Sequence, residues 1–437
     1  MNSRAVCILW LSSLLGACPD NEVLLGGKDS TVLVVDASAD ASSPADVGSV
    51  DNGPLVDAAV PDSAQLDVAR PDATAPDEGR SDSGAADQGQ TQDAAQGPDA
   101  ASAADAALGP VTGCVEGHFV PYWGNIHAHT SASDGEGSYA EAFAYARDQG
   151  GLDFFMPTDH VEQLYRLTGD PSGEYDECRS EADAVTVNGS YLAMCGYEYG
   201  AALSIIGPAG HSNVFLNDDL FPAIQLRLSD YYDSVKACAT CVTQFNHPRD
   251  ATSQSFNNFA YDAAVDEKMN LLEFNTGADA WAVLNEALEE GWHVAPTWNQ
   301  DNHSANWGTA NAHRTGLYLA ALTRDELAQA LRQRRSFASG DANASIALRA
   351  DTCWMGSIVA GVSEVQLHAE AADADDGFDR IELYGPMQAL LATFACGGQL
   401  SCSGDFDLPV SQPVYMIARA IELDGDVLTS APIWLAP

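Results

Sequence analysis

The chain has 437 residues, enough for roughly two or three domains. Its 63 Asp and Glu stand against 19 Lys and Arg, a formal net charge of -44. No cationic excess is available to displace phosphate counterions, which argues against a duplex nucleic-acid partner. An anionic substrate stays compatible where bound metal supplies the positive charge.

Residues 1–18, MNSRAVCILWLSSLLGAC, have one early Arg, a short apolar run and small residues before a Cys. This is a secretory signal pattern, too short to span a bilayer. The ending LGAC resembles the lipobox of bacterial lipoproteins. That resemblance implies lipidation at Cys18 and a cell-envelope location, periplasmic or surface-exposed, with lipid as the sole membrane anchor. In an ordinary signal peptide Cys18 would be incidental. Residues 19–112 carry 18 acidic and 3 basic residues, with much Ala, Asp, Pro, Ser and Gly. Such a stretch buries too little apolar surface to offset its ordering entropy and is expected to be a disordered, extended tether. The short STVLVVDA within it has no assignment.

From residue 113 the composition becomes globular. Short apolar runs end in polar residues: WGNIHAHT, LDFFMPTDH, YLAMCGYEYG, CVTQFNHP, MNLLEFNTG, HVAPTWNQDNH and RTGLYLA. Each reads as a buried strand. Helical patterns lie between several of them, in SYAEAFAYARDQG, ADAWAVLNEALEEG and TRDELAQALRQRRSF. This alternation predicts an α/β fold over 113–340, its sheet open or closed into a barrel, with polar chemistry at the C-terminal strand ends. Residues 341–437 show strand-like alternation and turn residues without a long helix, and read as a small β-sandwich-like domain. Eight cysteines follow residue 112, an even number that suggests disulfides in an exported domain. Nearness in sequence suggests Cys178–Cys195, Cys238–Cys241 and Cys396–Cys402, leaving Cys114–Cys353; sequence does not fix connectivity.

The strand ends gather metal-ligand residue types. His127 and His129 stand two apart, so on an extended segment they share a face; alone, H-x-H is also compatible with two surface histidines. Asp134 follows in the loop. His160 ends PTDH, Glu198 sits in GYEYG, His211 starts GHSNVF, His247 ends FNH, and Asp301 and His303 flank DNH. These N and O donors suit catalytic Zn, Mn or Fe better than a structural cysteine site.

GNIHAHTSASDG, FFMPTDH, GYEYG, GHSNVF, FNHP and DNH, in this order, resemble the polymerase-and-histidinol-phosphatase (PHP) domain over about residues 120–340. The later RRSFASGDA, MGSIV and YMIARAIELDGDVLTSAPIWL resemble the metallohydrolase branch that includes carbaryl hydrolase. The resemblance implies a distorted seven-stranded (β/α)7 barrel and two or three divalent metal ions. It implies that His127 and His129 hold one metal with Glu198 and Asp301. His160 and Asp134 would hold a second that Glu198 bridges, and His211, His247 and His303 complete the second and third positions. Asp159 is a candidate for orienting a ligand or moving a proton, and Arg249 and Arg314 for gripping an anion. His118, His293, His313 and His368 match no motif and are expected to be packed or surface residues.

The resulting expectation is a metal-dependent hydrolase acting on a small, anionic ester, first a phosphoester. The alternatives are a carboxylic or carbamate ester or amide, and a non-catalytic surface-binding lipoprotein.

Overall fold

In chain order the first half runs β1 (Val120–Asn125), α1 (Tyr139–Asp148), β2 (Phe154–Phe155), α2 (Glu174–Val185), β3 (Leu192–Ala193), β4 (Gly196–Gly200) and β5 (His211–Phe215). It continues with α3 (Leu228–Ala237), β6 (Val242–Asn246), α4 (Ser255–Phe259, one turn of positive φ), α5 (Ala263–Asp266), β7 (Met269–Glu273), α6 (Ala280–Glu289), β8 (Ala295–Thr297), β9 (Arg314–Leu319), α7 (Arg324–Arg332) and β10 (Ser336–Ser339). The structure, a computed structural model, describes residues 113–166, 168–200, 210–223, 227–249, 255–275 and 279–437. The expected leader, Cys18 and the expected tether lie outside the described residues.

The three anticipated helices form where their caps dictate. Ser138 and Glu141 close a reciprocal capping box on α1, which buries Tyr139, Ala142, Phe143 and Ala146 as one stripe. Asp279 caps α6 and Thr323 caps α7. Helices α2 and α3 lacked a sequence signal: neither has a side-chain cap, and α2 starts from a left-handed Gly173. Three acids in the first turn of α2 (Glu174, Asp176 and Glu177) favour its positive end instead.

Strands β1, β2 and β3 pair in parallel, while β9 pairs antiparallel with β1 and with β10. A second sheet has the order β4-β5-β6-β7-β8, antiparallel at β4–β5 and β5–β6 and parallel thereafter. Mixed pairing in two sheets therefore replaces strict β/α alternation around one parallel ring. The sheets meet just past the end of β2, where the amides of Gly196 and Glu198 donate to the carbonyls of Pro157 and Thr158. At Gly124 a Cβ would stand 2.3 Å from the Phe154 carbonyl, so only glycine lets β1 and β2 approach this closely.

The second half is all β: β11 (Ser345–Ala350), β12 (Cys353–Trp354), β13 (Ile358–Ala360), β14 (Glu364–Ala372), β15 (Phe378–Gly385), β16 (Ala389–Gln399), β17 (Ser401–Pro409), β18 (Val414–Glu422), β19 (Val427–Ser430) and β20 (Ile433–Ala436), apart from a 3-10 turn at Pro386–Gln388. One four-stranded sheet has the order β12-β11-β14-β17. The other strands prolong the sheet of β1, because β19 pairs antiparallel with β10. Disulfides join Cys114 to Cys353, Cys178 to Cys195 and Cys396 to Cys402. The expected Cys238–Cys241 bridge is corrected: both are free thiols. Cys238 caps the C-terminus of α3, and its sulfur accepts the Cys241 amide at 3.1 Å. A hydrogen bond with Cys241 holds the Cys238 thiol down to about 6. No helix among the described residues is long and apolar enough to cross a membrane.

Candidate metal centre

Past Asn125 the chain stays extended and is clamped against residues 299–303. The His129 amide donates to the Asn302 carbonyl, and the Asp301 amide to that of His127. His127 and His129 are both fully buried, with ring centroids 5.5 Å apart. On the next segment His160 bridges in parallel to Glu198 of β4.

Glu198 is the hub. Its Oε1 lies 3.1 Å from His211 Nδ1, 3.2 Å from His247 Nε2 and 3.4 Å from His127 Nε2. Its Oε2 lies 3.2 Å from His160 Nδ1 and 3.3 Å from His129 Nε2. Asp301 Oδ1 is 3.2 Å from His127 Nε2 and 3.1 Å from His129 Nε2. On the outer side Asp134 reaches His303 at 3.3 Å, and His129 and His160 at 3.7 Å. Three overlapping groups have ligand atoms close enough to share an ion: His127, His129, Glu198 and Asp301; His129, Asp134, His160 and His303; and His160, Glu198 and His211. All nine ligand candidates thus converge.

Burial would raise Glu198, yet His211, His127 and His160 hold it well below the usual carboxylate range. Burial would lower His127, yet Asp301, Glu273 and Glu198 hold it well above its ordinary value. His129 is raised to about 9 against burial, through hydrogen bonds to Asp301 and Glu198. His247 (φ 25°) and Asp301 (φ 46°) have left-handed backbones, each costing about 1–3 kcal/mol, strain of the kind that accumulates at working sites.

Sequence reasoning missed Glu273. Wholly buried at the end of β7, it faces His127 Nδ1 at 2.9 and 3.0 Å and accepts the His247 amide at 3.0 Å and Asn299 Nδ2 at 3.0 Å. The signal was present in MNLLEFN, an apolar run ending in an acid as GYEYG does. Glu162 was missed too: burial pushes its carboxyl up to about 7, and it accepts the Gly200 amide.

Asp159 is buried and accepts the amide and hydroxyl of Thr130 and the hydroxyl of Ser133, so it shapes the loop after His129. Trp307 Nε1 donates to the His129 carbonyl. The two arginines are engaged elsewhere. Arg249 pairs with Glu286 and Asn258, while Arg314 is buried and donates to the carbonyls of Gly308, Asn311 and His313. His293 pairs with Asp266, His368 with Asp405, and His313 stacks on Trp298, all outside the cluster.

No protein-family model matches the chain, and no curated protein does. Among solved structures it is similar to a two-domain protein containing a predicted PHP-like metal-dependent phosphoesterase from Bacteroides vulgatus. That likeness has 15% identity, a TM-score of 0.42, and covers 76% of this chain and 100% of the other. It is also similar to the lesion-specific endonuclease EndoQ of Pyrococcus furiosus, at 14% identity and a TM-score of 0.34, over 49% of this chain and 56% of that one.

Proposed function

We propose that the chain is a metal-dependent hydrolase of small ester substrates, with the two sheets of its first half forming a distorted PHP-type barrel around two or three divalent ions. The observation that carries this reading is His127 Nε2. It is buried 3.2 Å from Asp301 and 3.4 Å from Glu198, yet hydrogen-bonds to neither, while Nδ1 is held by Glu273. An imidazole fixed through one nitrogen, its other nitrogen unsatisfied among carboxylates, is a metal ligand in waiting.

His127, His129, Glu198 and Asp301 would hold one ion, and Asp134, His160 and His303 a second in reach of His129. Glu198 would be shared, with His211 and His247 on its far side. The imidazole and carboxylate set suits Zn, Mn or Fe. Bound ions would supply Lewis acidity and lower the pKa of water towards neutrality. The chain's own work is positioning and proton handling. Glu273 selects the nitrogen His127 presents, Asp159 orders the Thr130–Ser133 loop, and Glu162 can carry a proton near neutral pH.

Phosphoester hydrolysis is the first reading of the reaction. The engaged state of Arg249 and Arg314 favours the second, a carboxylic or carbamate ester or amide, since neither guanidinium is offered to an anion. The signal leader, lipidation of Cys18, the tether and the envelope location belong to the same proposal, as does the division at about residue 340. Elemental analysis of the chain purified without chelator, with turnover of nitrophenyl phosphate mono- and diesters and a naphthyl carbamate, tests it. Metal with turnover of one class supports the reading and selects the reaction. Less than about one ion per chain after Mn2+ or Zn2+ is added, with no turnover, sinks it.

A further inference from the structure

A second acidic cluster lies in the β half. Asp341 follows β10, Glu422 ends β18 and Asp426 sits in the turn to β19; one carboxylate oxygen of each lies within 4.8 Å of the others. Glu422 is 2% exposed, and neither of its carboxylate oxygens has a hydrogen-bond partner. Beside them Asp373, at the end of β14, is also buried with its Oδ2 unpartnered. No Lys or Arg ion pair reaches these acids among the described residues. Asp341 does feel the charge of Arg314, but that guanidinium spends its hydrogen bonds on backbone carbonyls. Leaving a buried carboxylate without donor or counter-charge is strongly destabilising.

We propose that Asp341, Glu422 and Asp426, with Asp373 beside them, form a calcium site separate from the histidine centre. The donors are all carboxylate oxygen, with neither imidazole nor thiolate, the preference of a hard cation. They come from the β10–β11, β14–β15 and β18–β19 connections, and an irregular set of this kind suits the flexible coordination of Ca2+ better than the strict octahedron of Mg2+. Parts of two carboxylates are already committed: Asp341 Oδ1 accepts the amides of Asn343 and Ala344, and Asp373 Oδ1 those of Asp375 and Asp376. Those bonds orient both side chains in their loops. An ion here would tie the end of β14, in the four-stranded sheet, to β10, β18 and β19 of the large one, acting as a clamp across the seam.

The test is calorimetric titration of CaCl2 into the full-length chain, already loaded with Mn2+ and freed of excess. Saturable uptake of about one Ca2+ per chain, with Kd of about 0.1–1 mM, is expected. Glu422→Gln should weaken it at least about tenfold, because ligand charge sets affinity in such sites. Asp426→Asn, in a half-exposed turn, should do the same and decides the matter if the buried variant misfolds. The double variant His127→Ala/His129→Ala should keep calcium uptake intact, which separates this site from the proposed hydrolytic centre. No saturable uptake up to about 10 mM, uptake indifferent to Asp426→Asn, or uptake lost with the two histidines would each overturn the proposal.

Discussion

Glu198 and Glu422 are both carboxylates that burial alone would keep neutral, and their surroundings drive them in opposite directions. Around Glu198 five imidazoles converge, and those of His211, His127 and His160 hold the acid ionised against the burial penalty. The charges that bear most on Glu422 are those of other acids. Burial, then Asp373, Asp341, Asp424 and Asp426, push its carboxyl up to about 8. The first site contains its own counter-charge and can be assembled before metal arrives. The second contains none and is complete only with a cation or a proton. Donor chemistry thus separates two clusters that a count of acidic residues would treat alike.

The sharpest way to break the comparison is to empty the first site. His127→Ala with His129→Ala is expected to abolish transition-metal uptake and hydrolysis while circular dichroism stays unchanged. Full activity in that protein would remove the metallohydrolase reading. Glu273→Gln asks whether the buried support matters. Loss of one acceptor oxygen from the grip on His127, His247 and Asn299 should cost about 10–100-fold in metal affinity, read by competition with a chromophoric chelator. Unchanged affinity would reduce Glu273 to packing.

Smaller effects probe the second site. At a tenfold excess over Kd, Ca2+ should stabilise the chain by about 1.4 kcal/mol, seen as a rise in Tm that Glu422→Gln erases. The proton competes with that ion. A carboxyl whose pKa rises from 4.5 in the unfolded chain to about 8 in the fold takes up a proton on folding, so its contribution is fully present below pH 4.5 and is lost as pH climbs through about 8. In calcium-free buffer the Tm of the parent should therefore fall, relative to Glu422→Gln, across that window. Parallel curves would mean that Glu422 has a compensating partner.

Much of the histidine centre was legible in the chain itself, because strand ends carry their polar residues in fixed order and H-x-H on an extended segment must share a face. Helices α1, α6 and α7 were legible from their local helical pattern, whereas the four-residue α5, though capped by Asp262, is too short to show one. Strands β2 and β3 fall within the runs LDFFMPTDH and YLAMCGYEYG that read as strands, whereas the uncapped α2 and α3 and the antiparallel pairing of β4 with β5 depend on partners distant in sequence.

What the sequence by itself determined was the inventory: imidazoles and carboxylates at the ends of apolar runs, an all-β second half, and cysteines able to pair. Tertiary structure decided which of them meet. It brought Glu273 of β7 under His127, turned Arg249 and Arg314 towards other partners, left Cys238 and Cys241 reduced, and set Asp341, after β10, beside Glu422 and Asp426 of the β18–β19 hairpin. The reason is physical: local sequence sets which groups a segment carries and which way alternate residues face, whereas burial and counter-charge arise only when segments far apart in the chain pack together.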